Sequence, residues 1–349
     1  VLDLGEQYLA DFLDAPDASH PKAPLRLMAC ESCWLMQLSH VVDRDKLFRN
    51  YWYKSGVNAT MVAHLTALAG DVLARLGLKT GDKVVDIGAN DGTFLSKLPA
   101  NVHKIAFEPA TNLQDALRPQ ADEVIPSYFD ADKVAGKVRL VTSLAMFYDL
   151  ERPVAFAADI QTVLARNGVW VCEMNYLGSM LKQTAFDFMV HEHVALYFLS
   201  TFNKVIGEVG LQVFDVEEND INGGSFRLWI GHRGSRPIRT SVDHFLYIES
   251  QMRNTQAYTC FATKAQEVVA TVHGWVSEVR GQGGTVYAYG ASTRGMTLLQ
   301  ATGLDATPIT KAVDKNPEKV GKFMAGVDIP IVSETTFRAE HPHYLLGLP

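Results

Sequence analysis

The stretch Val84-Val85-Asp86-Ile87-Gly88-Ala89-Asn90-Asp91-Gly92-Thr93-Phe94-Leu95 constrains this chain more than any other. A β-branched run ends in an acid, passes through glycines and re-emerges as an apolar segment. That pattern predicts a buried strand, a tight turn and a helix start. Glycines let backbone approach a ligand closely, and a helix N-terminus offers free N–H groups to it. A dinucleotide site asks for G-x-G-x-x-G. The spacing here is Asp-x-Gly-x-Asn-x-Gly, which lacks that fingerprint. Glu108 follows Lys104-Ile105-Ala106-Phe107, twenty positions after Gly88. A second strand's tip would there hold a carboxylate against ribose hydroxyls. Asp86, Gly88, Asn90, Gly92, Glu108 and Pro109 are thus the candidate cofactor residues.

A chain of 349 residues is long enough for two or three domains. Apolar content of 47% with 20% charged residues fits a soluble globular protein. The net charge of −7 argues against a nucleic-acid partner, which needs a broad basic surface. No apolar run is long enough for a membrane span, and no signal peptide leads the chain. Four cysteines fit a reducing compartment, so a cytoplasmic enzyme is expected, as monomer or homodimer. The chain opens at Val1 and reads as a portion of a longer polypeptide.

Residues 1–70 read as a small N-terminal domain ending in a linking helix over about 58–78. Cys30 and Cys33 form a C-x-x-C knuckle, half of a four-thiolate zinc site. Two buried free thiols are the alternative. Tyr51-Trp52-Tyr53 places three aromatics on a polar background, where they cap a domain interface or bring a phenol to a polar ligand. Residues 71–235 alternate strand and helix, which predicts a parallel sheet covered on both faces. The predicted strands are 83–87, 103–107, 122–125, 138–143 and 168–173. Ligands in such sheets sit beyond the strands' carboxyl ends. Asp86, Glu108, the segment from Ser143 through Met146 to Tyr148, and Glu173 to Tyr176 are therefore expected to line one cleft.

The chemistry is expected in His191-Glu192-His193. If this piece is extended, both imidazoles face one way and Glu192 the other. Imidazole suits a general base near neutral pH. Downstream, Asn222, Gly223, Ser225 and Arg227 belong to a turn feeding a strand, and its glycines imply close approach to a ligand or to the sheet.

These residues together resemble the S-adenosylmethionine (SAM)-dependent C-methyltransferases of deoxysugar biosynthesis, which act on nucleotide-linked keto-sugars. The resemblance rests on the Cys30/Cys33 knuckle, Tyr51 to Gly56, Asp86 to Gly92, the His-Glu-His block, Gly223-Gly224-Ser225 and Tyr289-Gly290-Ala291-Ser292. The turn at Asp86 also resembles the first motif of class I SAM methyltransferases. The resemblance implies an α/β fold: a class I, Rossmann-like SAM domain between a small N-terminal zinc-type domain and a C-terminal Rossmann-like α/β domain at 236–349. Its implied cofactors are SAM and structural Zn2+, with two zinc ligands before Val1. His193 would remove the proton beside the ketone, and the resulting enediolate would attack the SAM methyl group. Tyr53 would contact the sugar or the oxyanion, and Glu192 would bind or orient.

Three positions depart from the better-known sugar enzymes. Val190 replaces a tyrosine, Asn222 a histidine, and Phe147-Tyr148-Asp149 stands where a histidine follows the fourth strand. Tyr148 is a candidate for the missing phenol. The acceptor identity stays open, as do O- or N-methylation of a small metabolite and a non-catalytic binding protein. The last third opens with a helical pattern around 240–278. A second strand–glycine turn–helix follows, in which Tyr289, Ser292, Thr293 and Arg294 are expected to receive a nucleotide sugar's pyrophosphate, unless this half is kept only for packing.

Overall fold

A computed structural model describes residues 1–349. Its centre is a seven-stranded sheet in the order Leu211–Asn219, Ser225–His232, Leu164–Asn175, Val138–Leu144, Lys83–Ile87, His103–Phe107, Glu123–Ile125. The last five strands of that order are parallel to one another. Ser225–His232 runs antiparallel to Leu164–Asn175, and Leu211–Asn219 antiparallel to Ser225–His232. The sheet is therefore mixed, not parallel throughout. Residues 220–224 form a short connection between the last two strands, and a short connection can only return the chain antiparallel.

Helix Ala59–Leu76 packs on this sheet because its apolar residues recur at helical spacing. Leu65, Leu68, Ala69, Val72 and Leu76 are all buried. Asn58 caps its first turn through the N–H groups of Thr60 and Met61, and Gly77, with φ of 54°, ends it in the left-handed conformation. The helix expected after the Asp86–Gly92 turn is only a 3₁₀ turn, Leu95–Lys97. Leu98 precedes Pro99 and is extended, with φ −85° and ψ 151°, which stops a helix there. The long helical pattern near 240–278 is two helices, Thr240–Met252 and Thr255–Gly281, restarted by the Asn254 cap.

Two smaller sheets flank the centre, and each takes a strand from a distant part of the chain. Leu2–Tyr8, Lys22–Ala29 and Met36–Leu38 pair antiparallel, with Ala195–Leu196 added beside Met36–Leu38. The other sheet joins Tyr344–Gly347, Val286–Tyr289, Ile309–Val313 and Ile329–Val332 in parallel. Phe323–Met324 and then Phe12–Leu13 extend it antiparallel. No helix is long and apolar enough to cross a membrane.

Glu249 is fully buried, and its two oxygens accept the N–H groups of Leu199 and Ser200 at 2.5 and 2.9 Å. A carboxylate there satisfies free donors at the start of helix Leu199–Gly207, just after the His-Glu-His block. Glu249→Ala is expected to cost about 2 kcal/mol. Urea unfolding checks this, with Glu249→Gln losing less because it keeps one acceptor.

Candidate active site

One cavity of about 880 Å3 opens at the carboxyl ends of the central strands. That is the upper end of the range for small-molecule sites. Its wall combines strand-tip residues of the central sheet with residues 9–11 of the first segment and with Thr293 and Arg294 at a helix start in the last third.

The cofactor side is built around Asn90. Lys83–Ile87 delivers Asp86, whose Oδ1 accepts the Thr142 hydroxyl at 2.6 Å. Burial pushes the Asp86 carboxyl up to about 7, with the nearby Glu108 charge adding to it. Gly88 has a φ of 70°, and a Cβ there would press on Met146 Cγ at 3.3 Å. Asn90 has a φ of 54°; its backbone N–H donates to Glu108 Oε2 at 2.8 Å. Its side chain accepts the Ser55 N–H at 3.0 Å and donates to the Tyr53 carbonyl at 2.9 Å, which pins the aromatic segment across the turn. Glu108 Oε1 accepts the Ala110 N–H at 2.8 Å, and burial raises this carboxyl's pKa. Asp86, Gly88, Asn90, Glu108, Pro109 and Met146 all line the cavity. A glycine cradle with two acidic strand tips fits a nucleoside cofactor.

Gly92 and Ser143 lie outside the lining. Gly92, at φ 77°, makes room for the Gln120 side chain, which a Cβ at position 92 would meet at 2.7 Å, so its role is packing. The Ser143 hydroxyl accepts the Trp170 indole N–H at 2.8 Å in the core.

The His-Glu-His block is a turn, not an extended strand, because the His193 N–H closes onto the Val190 carbonyl at 3.0 Å. Glu192 and His193 consequently share the cavity, while His191 turns away and meets the Ala23 carbonyl at 3.0 Å. This reverses the alternation expected from an extended segment. His193 Nδ1 lies 2.7 Å from the Phe188 carbonyl, so Nδ1 carries the proton and Nε2 keeps its lone pair. The ring stacks on Phe188 at 4.1 Å and meets the Tyr148 ring edge-on at 4.5 Å, which fixes its plane. Burial drives its pKa down to about 3, so the imidazole is neutral. Glu192 is pushed up to about 7 by burial alone.

Four phenols line the cavity: Tyr51, Tyr53, Tyr148 and Tyr128, the last donating to Asp45 at 2.9 Å. Tyr53, the one expected to act, is half exposed. Tyr51 and Tyr148 have hydroxyls buried among Glu192 and Asp149, which raise their pKa values further above the ordinary tyrosine range. The aromatic triplet signalled a phenol; which of its two tyrosines points inward is set by the Asn90 clasp, which the sequence pattern does not show.

Of the other expected ligand residues, Asn222, Ser225, Thr293 and Arg294 line the cavity, whereas Gly223, Arg227, Tyr289 and Ser292 do not. Arg294 is already paired with Asp187 at 2.5 Å and donates to the Asn222 carbonyl at 3.2 Å, tying the last third to the block. The Ser292 hydroxyl caps helix Thr293–Thr302 and donates to the Pro349 carbonyl, while Leu348 packs on Gly295. The helix start is thus covered by the chain's own residues, and the Tyr289 hydroxyl is bonded to Glu334. Arg227 sits in a buried network, donating to Glu173 at 2.9 Å and to Asp71 at 2.9 Å. Glu173 also meets His64 at 2.5 Å and Asn219 at 3.1 Å; these partners together hold it ionised despite its burial.

Cys30 and Cys33 form the expected knuckle: the Trp34 N–H bonds the Cys30 carbonyl at 2.7 Å, and the Cys30 N–H bonds Leu35. Trp34 takes φ of 65°, and N–H groups of Cys33 and Ser32 favour a thiolate at Cys30. The pair fits two corners of a tetrahedral zinc site. No group of three or more His, Cys, Asp or Glu side chains converges elsewhere as a metal site.

Three family models match the chain: "Putative zinc binding domain" over residues 1–48, "Methyltransferase domain" over 61–216 and "C-methyltransferase C-terminal domain" over 220–349. The C-methyltransferase NovU of Streptomyces niveus is 31% identical over 335 residues, covering 93% of this chain and 80% of that protein. Among solved structures, magnesium protoporphyrin IX methyltransferase from Synechocystis, with bound SAH, aligns at 13% identity and TM-score 0.41 over 51% of this chain and 88% of that one. A SAM-dependent methyltransferase from Clostridium acetobutylicum aligns at 10% identity and TM-score 0.41, over 50% and 92%.

The Glu173 network yields a stability prediction. Arg227→Ala strands a buried carboxylate and should lower the unfolding free energy by about 3 kcal/mol. Denaturant titration measures that loss, and an unchanged acceptor KM in the folded fraction separates it from ligand binding. The strand order, the glycine cradle with its acidic tips, and the match along nearly the whole chain make this protein a member of the SAM-dependent C-methyltransferase family, with a class I Rossmann-like fold.

Proposed function

We propose that the chain methylates the carbon beside the ketone of a nucleotide-linked keto-(deoxy)sugar, with His193 as general base. The observation that carries this reading is the state of His193. Its Nδ1–H is spent on Phe188, its Nε2 is free, and its ring is clamped in the cofactor cavity. A carbon acid needs a neutral base held within hydrogen-bond reach of the proton it loses. When bound, SAM supplies an electrophilic methyl group, and Asp86, Gly88, Asn90, Glu108 and Met146 are the residues that would hold it.

The chain's own residues do the rest. His193 Nε2 takes the α-proton. Glu192 and Tyr148 face the substrate from the same side of the cavity. Tyr51, whose buried hydroxyl feels the Glu192 and Asp149 charges, takes the contact expected of Tyr53. Asn222, Ser225 and Thr293 offer polar contacts to a sugar. Arg44, Lys46 and Arg152 add positive charge to the lining, which suits a diphosphate.

Mass spectrometry of the purified protein with SAM and a panel of nucleoside-diphosphate keto-sugars tests the substrate. One member is expected to gain a methyl group on carbon, and no gain across the panel rejects the sugar assignment. In deuterated water, exchange at the α-carbon without SAM is expected from the wild type. His193→Ala should cut exchange and methylation by about 10²–10⁴-fold while SAM binding persists. Methylation persisting in that variant rejects the base.

A further inference from the structure

Asp149 and Glu192 are carboxyl groups of the cavity that no protein group hydrogen-bonds. Asp149 closes the 3₁₀ turn Phe147–Asp149, directly after the Val138–Leu144 strand, and lines the cavity. Its Oδ1 is sealed from solvent with no hydrogen-bond partner. The neighbouring charge it feels is that of Glu192, which itself lies buried in the same cavity. The cavity's inner guanidinium, Arg294, is committed to Asp187. The hydroxyls of Tyr51 and Tyr148 complete the cluster.

Two carboxyl groups that line one cavity, both short of hydrogen-bond donors and each disfavoured by the other's charge, resist ionising together. The pair therefore retains a proton near neutral pH, as coupled carboxyls do. A neutral carboxyl group is a hydrogen-bond donor. Beside phenols, in a cavity where a proton is removed next to a carbonyl, a donor is what an enolate oxygen requires.

We propose that Asp149 is a further catalytic residue, whose carboxyl group, set against Glu192, donates the hydrogen bond that stabilises the substrate's enolate oxygen. The inference rests on the carbon-acid reading of the site. In the step, the α C–H bond breaks and its proton moves to His193 Nε2. The electron pair forms the enolate C=C bond, and the carbonyl π electrons move to oxygen. Asp149 keeps its proton and shares it with that oxygen. Rising pH removes the proton from the pair, so catalysis falls on the alkaline side.

The test compares wild type, Asp149→Asn, Asp149→Ala and Glu192→Gln. Infrared difference spectra at pH 7, with S-adenosylhomocysteine as the added probe, come first. The protonated-carboxyl C=O absorption of the wild type is expected to lose one component in Asp149→Asn that Glu192→Gln keeps, what is left belonging to Glu192 and Asp86. Identical carboxyl absorption in the wild type and Asp149→Asn overturns the proposal, whether or not any keto-sugar is accepted. In methylation assays Asp149→Ala should lose about 10²–10³-fold in kcat with SAM binding unchanged. Asp149→Asn, which keeps a donor, should recover at least about tenfold of that and lack the alkaline fall. Equal loss in Asn and Ala, or full activity in Ala, overturns the proposal. Failure of the parent reading is separate: it shows as absent α-deuterium exchange in the wild type itself.

Discussion

Asn90 spends its polar groups on holding three pieces of chain together. Its N–H fixes Glu108, its side-chain oxygen fixes Ser55, and its side-chain nitrogen fixes the Tyr53 carbonyl. It does so from a left-handed backbone conformation, which asparagine tolerates better than most side chains. The clasp couples both acidic strand tips to the aromatic segment. The floor of the cofactor site and the wall holding Tyr51 are consequently one mechanical unit. The neighbouring Asp91 reinforces it by accepting the Gly56 N–H at 2.7 Å.

Much of this was legible in the sequence because it rests on local pattern. The strands Lys83–Ile87 and His103–Phe107 fall where their apolar runs place them, and helix Ala59–Leu76 follows its cap and apolar spacing. What could not be read depends on contacts distant in sequence. Whether Glu192 faces with or against His193 hinges on one turn closure to Val190. Arg227 looked like a ligand residue because it follows a glycine turn, yet Glu173 and Asp71 claim it. Ser292 resembled a phosphate anchor until residues 348–349 covered the helix start. A charged side chain in a motif announces that it needs a partner, and only the fold decides whether that partner is protein or ligand.

The site divides its ionisable groups by whether the protein satisfies them. Glu173, Arg227 and Asp187 are buried and paired, and act as rivets between elements. His193, Glu192 and Tyr148 are buried, and Asp149 is half-buried with its Oδ1 sealed, all with much of their polar capacity unspent around one cavity. Such groups cost stability in the free protein, and the fold tolerates them where a ligand completes them. The departure at Phe147-Tyr148-Asp149 exchanges an imidazole for a phenol and a carboxyl, so the chain retains polar reach there while changing its chemistry.

The exchanged strands carry a consequence for biosynthesis. Phe12–Leu13 pairs with Phe323–Met324, and Met36–Leu38 waits for Ala195–Leu196. Phe12–Leu13 therefore lacks its sheet partner until residue 324 has emerged from the ribosome. Pairings so remote in sequence slow folding and leave strand edges open meanwhile. A nascent chain of this protein has to hold that short strand unfinished, and the cavity wall at residues 9–11 is among the last features to close.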